Sequence, residues 1–210
     1  MIYVINKNKI SINMDESSLS GLNTEYSMST SCKEMSINTN SNFEKYNPLF
    51  ISKDLKKRII KSISQNLKGI IKENIQNNQM KFVNKSDIFY LNYFPKISIE
   101  NYIYRLYNKT KMNISTLIIS IIYIDRFCEM NGYILSLNNI YRIILAACLL
   151  SFKFNEDFNL NTQYYANIAG VPLNDLNNLE YYLFVKLKFS LFVEDDFYQQ
   201  YFEYFCKNLN

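Results

Sequence analysis

The chain contains no histidine. That absence removes Ser–His and Cys–His nucleophile pairs, histidine metal sites and the commonest general base of enzyme chemistry. Glycine is scarce as well: the four glycines, Gly21, Gly69, Gly132 and Gly170, lie too far apart to build a loop that cradles phosphate. With only three prolines beside them, few turns are punctuated, which favours long helices over many short strands. The cysteines, Cys32, Cys128, Cys148 and Cys206, form no CxxC pair and match no zinc spacing. Cys128 and Cys148 fall within apolar runs, as packed thiols do, which points to a reducing compartment, nucleus and/or cytoplasm. Long hydrophobic runs are missing too. The longest, around 117–124, is far shorter than the roughly 18–20 residues a membrane span needs. The first five residues have no basic flank and no adequate apolar region for a signal peptide. No membrane, metal or cofactor is expected from this inventory, and no enzyme activity.

What is present is apolar and mildly basic. Hydrophobic residues make up 48% of the 210, enough for a real core. The net charge of +4, from 23 basic and 19 acidic residues, is too small to imply a direct nucleic-acid partner. Residues 1–47 read as a flexible tail, because Ser, Asn and Thr dominate and the apolar residues have no period. Residues 48–88 form an N-terminal helix region. Within it Leu55, Ile59, Ile63, Leu67, Ile70 and Ile71 recur at helical spacing over about 52–76, with Lys53, Lys56, Lys57, Arg58, Lys61, Lys68 and Lys72 between them. This pattern fits a basic amphipathic helix for an anionic surface, or a helix laying its apolar stripe on the following domain, the reading preferred here.

From 89 to 208 the pattern strengthens into five helices and a closing sixth. Ser98 is a good N-cap for the first, whose stripe is Ile99, Tyr102, Ile103 and Leu106. The second, about 115–130, is apolar over most of its circumference and ends at Gly132. The third begins near 136–138 and ends near Phe154, with Ala146, Ala147 and Ser151 allowing close helix approach. The fourth runs from an Asn161 or Thr162 cap to Gly170. The fifth follows Pro172 with Leu176, Leu179, Leu183 and Leu187, and the sixth covers roughly 194–207. The fold class is therefore all-α.

Three charges stand on apolar faces. Asp125 shares a face with Ile118, Ile121 and Ile122; Glu180 lies on the stripe of Leu176, Leu183 and Leu187; Lys153 ends an almost uncharged run. A buried ion needs a partner or costs several kcal/mol. Arg105 is the partner expected for Asp125, as a structural ion pair, and Lys153 the partner for Glu180. The alternative is that each charge snorkels to water at the rim.

These positions lie inside a recognisable pattern. Tyr123-Ile124-Asp125-Arg126-Phe127 resembles the helix 2 signature of the cyclin box. Asn138, Arg142 and Ala146, then Ser151-Phe152-Lys153-Phe154, resemble its helix 3. Tyr165-Ala166, Ala169-Gly170-Val171 and Asn177-Asn178-Leu179-Glu180 resemble helices 4 and 5. The subgroup most similar is the P-type cyclins, which carry a single box, and the resemblance covers about 89–204.

It implies a five-helix cyclin box with flanking N- and C-terminal helices, and a cyclin-dependent protein kinase as partner. In this family the lysine ending helix 3 and the glutamate of helix 5 pair with each other and bond the kinase backbone; here these are Lys153 and Glu180. Phe154, Tyr181, Phe184, Val185, Phe189 and Leu191 would be the neighbouring apolar contacts. An acid after helix 3 can hold a kinase arginine, which nominates Asp157, with Glu156 as competitor. An ungapped match puts Lys96, not Arg105, at the position of the family's helix 1 arginine. The substrate-docking patch of cell-cycle cyclins is not visible in residues 95–99. The implied mechanism is positional: the kinase's regulatory helix docks on helices 3 and 5, and the cyclin supplies no catalytic group. A non-activating scaffold or a transcription-factor-like adaptor stay open as alternatives.

Overall fold

The computed structural model describes residues 51–158 and 160–207, so the tail expected over residues 1–47 lies outside the described residues. Among the described residues the regular structure is entirely helical: α1 (Lys53–Gln76), α2 (Ile99–Thr110), α3 (Ile114–Asn131), α4 (Ile140–Asn155), α5 (Thr162–Ala169), α6 (Leu173–Lys186) and α7 (Asp195–Lys207), with a 3₁₀ turn at Gln79–Phe82 after α1.

Local chemistry sets most of the boundaries. Ser52 and Ser98 cap α1 and α2, their side chains accepting from the backbone N–H of Leu55 and Asn101 at 3.1 Å each. Asn161 caps α5 by accepting from the N–H of Gln163 at 2.8 Å. Gly132 and Gly170 end α3 and α5 at φ +57° and +74°, a left-handed conformation that costs a glycine nothing. The third helix of the box starts later than the sequence pattern suggests, at Ile140 rather than 136–138. The side chain of Asn139 accepts from the N–H of Ser136 (2.8 Å) and donates to the carbonyl of Ile134 (2.9 Å). These bonds hold residues 134–139 as a turn and postpone the helix.

One continuous core joins every helix. α3 and α4 lie at its centre, packed on each other, because neither has a polar face to turn outward. α6 lies on α4 through Leu176, Leu179 and Leu183, all fully buried. α1 buries Ile59, Ile60, Ile63, Leu67 and Ile71 against α2 and α7, so the N-terminal helix is part of the same core as the box. Each such fully buried side chain contributes about 1.5–3 kcal/mol of transfer free energy. The thiols of Cys128 and Cys148 are free and buried, and burial pushes Cys148 up to about 12.

The expected Arg105–Asp125 ion pair does not form. Asp125 is buried in α3, and its carboxylate accepts a hydrogen bond from the hydroxyl of Tyr201 in α7. Arg105 is exposed on α2, turned away from the stripe of Tyr102, Ile103 and Leu106 that faces the core. The reason is topological: α3 meets α7 closely, whereas α2 packs on α1, α4 and α5. Burial and the neighbouring Asp125 carboxylate both raise Tyr201 far above the ordinary tyrosine value, so it stays a donor.

Candidate functional site

The end of α4 and one flank of α6 form a groove of about 300 Å³, lined by Leu150, Lys153, Phe154, Asn177, Glu180, Tyr181, Phe184 and Leu191. On α6 the leucines at 176, 179 and 183 turn inward, which leaves Glu180 and Phe184 at the edge of the stripe and Tyr181 further out. On α4 the apolar run fills the core as far as Phe152, so Lys153 is the first residue whose side chain can leave it. Ser151, one residue earlier, donates to the carbonyl of Thr116 at 2.6 Å and fixes the end of α4 on α3.

Lys153 and Glu180 meet across this groove. Lys153 Nζ stands 2.7 Å from Glu180 Oε2, with the lysine side chain 39% exposed and the glutamate 16%. A pair this open to water is worth no more than about 1 kcal/mol in stability. Its value is positional: it holds a cation and an anion in fixed places among apolar side chains. Lys153 also sits in the last turn of α4, where a cation complements the helix dipole.

Around the pair the exposed surface is aromatic. Phe154 is 52% exposed, Tyr181 69% and Phe189 62%. Val185 is exposed on the same helix as Tyr181, and Phe184 is half-buried, its ring edge-on to Phe189 with centroids 4.8 Å apart. Leu191 is buried and closes the floor. Such a row costs free energy in water, which marks it as a surface built to be covered. Lys153, Phe154, Glu180, Tyr181, Phe184 and Leu191 thus line one groove, and Val185 and Phe189 extend its rim.

Two carboxylates follow α4, and they have different employment. Glu156 accepts from the N–H of Asn113 (2.7 Å), from Asn113 Nδ2 (2.7 Å) and from Thr116 Oγ1 (2.6 Å). It is therefore the N-terminal cap of α3, a helix whose own cap residue, Asn113, makes no side-chain capping bond. Asp157 is exposed, lies outside the groove, and has no partner among the described residues.

The segment between the 3₁₀ turn and α2 has no helical period, yet it is tied firmly to the box. Leu91 and Asn138 exchange two hydrogen bonds, of 2.8 Å from the Leu91 N–H and 2.7 Å back to its carbonyl. Tyr141 donates to the carbonyl of Ile97 at 2.6 Å, and Arg142 to that of Ile88 at 2.7 Å. Phe89 is fully buried edge-on to Phe127 and Tyr182. Asn138 and Arg142, noticed as motif residues, are the signal that could have located this strap. Among the described residues no three His, Cys, Asp or Glu side chains gather as a metal site requires, and no helix is long and apolar enough to cross a membrane.

The family model described as "Cyclin" matches residues 10–191. The chain belongs to the cyclin family. Cyclins are regulatory proteins and not enzymes. Among its relatives, Cyclin-U2-1 of Arabidopsis thaliana is 32% identical over 118 residues, 56% of this chain and 53% of the relative. Cyclin-U3-1 of the same plant is 35% identical over 100 residues, 48% of this chain and 45% of the relative. Cyclin-P3-1 of Oryza sativa subsp. japonica is 25% identical over 114 residues, 54% of this chain and 48% of the relative. The chain spans about half the length of the curated relatives it matches. These matches do not single out the expected P-type subgroup: the P-type relative matches at lower identity than the two U-type cyclins.

Proposed function

We propose that the chain is the regulatory subunit of a cyclin-dependent protein kinase, docking the kinase on the groove between α4 and α6 and activating it by position. One observation carries this reading: the Lys153–Glu180 pair, 2.7 Å apart, set among the exposed Phe154, Tyr181 and Phe189. An α-helix lying in this groove would bury the aromatic rims, while the pair met polar backbone groups of the partner and fixed its register. Covered in this way, the pair loses its water, and each ion then depends on the other and on the kinase. The cyclin's part in catalysis is to bring the kinase's regulatory-helix glutamate to the lysine that holds the nucleotide phosphates. Asp157, exposed and without a partner among the described residues, takes a kinase arginine in this reading, since Glu156 caps α3. The site of action is the nucleus and/or cytoplasm, and the subgroup is P-type or the neighbouring U-type.

The test is a pull-down with the full chain from nuclear and cytoplasmic extract, followed by a kinase assay on the eluate. Wild type retains a kinase activity; Lys153→Glu and Glu180→Lys each lose it with unchanged helical circular dichroism. A well-folded wild type that retains no kinase refutes the proposal. A retained but inactive kinase reduces the role to that of a scaffold.

A further inference from the structure

The segment that follows α6 has an unusual backbone. Lys188 and Phe189 adopt φ values of +52° and +62° in succession, a left-handed conformation that a side chain with a Cβ disfavours. The turn begins as a helix C-cap, with the Phe189 N–H bonded back to the carbonyl of Phe184 at 3.1 Å. A cap of this kind ordinarily needs one left-handed residue, and glycine usually supplies it. Here two non-glycine residues in a row take the conformation, so the surroundings have to impose it.

Those surroundings are two side chains of α3. Tyr123 and Arg126, three residues apart on one helix face, reach three successive carbonyls of the segment. Arg126 donates to the carbonyl of Phe192 at 2.8 Å and to that of Ser190 at 3.3 Å, and Tyr123 donates from its hydroxyl to the carbonyl of Leu191 at 2.7 Å. The guanidinium also lies over the ring of Phe197 in α7, 5.7 Å from its centroid, which restrains it on the other side. The consequences for the groove are direct. Leu191 is drawn inward to the floor, and Phe189 is thrown outward against Phe184 at the rim.

We infer that Tyr123 and Arg126 are positioning residues that hold the carbonyls of residues 190–192, so fixing the left-handed turn at Lys188 and Phe189 and pre-organising the docking groove for its partner. A rigid loop gives up less conformational freedom on binding than a mobile one, so the clamp acts on affinity without touching the partner. The inference rests on the kinase-docking reading for its consequence in binding, but the clamp itself is measurable on the free chain.

The experiment has two arms on the full chain. In the first, amide hydrogen exchange of residues 188–190, whose N–H groups are bonded to the carbonyls of Val185, Phe184 and Leu187, is compared between wild type, Arg126→Ala and Tyr123→Phe, the latter keeping the ring and losing only the hydroxyl. Exchange there rises about tenfold or more in each variant, as loss of a hydrogen bond from a charged or buried donor implies, while the α3 and α4 cores keep their protection. In the second arm, affinity for the kinase retained by wild type falls about tenfold in Arg126→Ala. Adding Lys188→Gly, which removes the backbone penalty at a position of positive φ, recovers most of that loss. A merely structural role for Arg126 does not predict this recovery. Unchanged exchange in both variants overturns the clamp. Raised exchange with unchanged kinase affinity overturns its role in docking. A wild type that binds no kinase overturns that role as well, and is distinguished by an exchange arm that still shows the clamp.

Discussion

The fate of Asp125 can be decided by two substitutions. Its carboxylate is buried in α3 and accepts from the hydroxyl of Tyr201, which is itself fully buried in α7. Tyr201→Phe keeps the ring and its packing but removes that donor. A hydrogen bond to a carboxylate contributes about 1.5–3 kcal/mol, and an acceptor left short of a donor in the core loses at least that. For a domain of this size each kcal/mol lowers the melting temperature by about 2–4 °C, so the expected fall is roughly 3–12 °C. Arg105→Ala is the matching control. Arg105 is exposed on α2, and surface changes of that kind stay within about 0.5 kcal/mol. Thermal melts by far-ultraviolet circular dichroism, with urea titration at fixed temperature, measure both. The reasoning is refuted if Arg105→Ala destabilises as much as Tyr201→Phe, because the ion pair expected from sequence would then exist in solution. A neutral Tyr201→Phe refutes it equally.

Glu156→Ala removes the acceptor for three donors at the start of α3 and is expected to cost about 1–3 kcal/mol in urea unfolding; Asp157→Ala, which removes no bond among the described residues, should cost nothing measurable. Ile63→Ala, in the fully buried stripe of α1, should destabilise the whole domain by about 2–4 kcal/mol in a single transition, whereas a separate early melt of α1 would show that the helix is peripheral. Alkaline pH should weaken the fold through Cys148. Its thiol ionises near 9.0 when unfolded and at about 12 when buried, so the unfolded chain releases the proton first and stability is lost as pH rises between those values. At about pH 10.5 this thiol alone removes about 2 kcal/mol relative to pH 8, and an unchanged urea midpoint would contradict it. The same burial predicts that Cys148 stays unreactive toward a thiol reagent at pH 8 until the chain is unfolded.

Much of this architecture is decided within single helices, and that part the sequence determined. The caps Ser98, Asn161, Gly132 and Gly170 act on their own backbone neighbours, so the start of α2, the end of α3 and both ends of α5 were legible from residue type alone. The Lys153–Glu180 pair was legible for a different reason. Both charges interrupt otherwise apolar stripes, and each has few partners of opposite sign within reach, so chain pattern and family resemblance converge on one pairing.

Packing across the core settles the choices between chemically equivalent candidates. Asp125 required a partner, but whether that was an arginine on α2 or a tyrosine on α7 depends on which helix lies against α3. Glu156 and Asp157 are adjacent acids with the same intrinsic chemistry. The fold brings the N-terminus of α3 to the first and leaves the second in water. The left-handed turn at Lys188 and Phe189 has no glycine to announce it, because the conformation is imposed from α3, more than sixty residues earlier in the chain. Periodicity and caps report on contacts three or four residues away; which of two chemically similar groups finds a partner is settled by contacts across the core, and those exist only once the helices have packed.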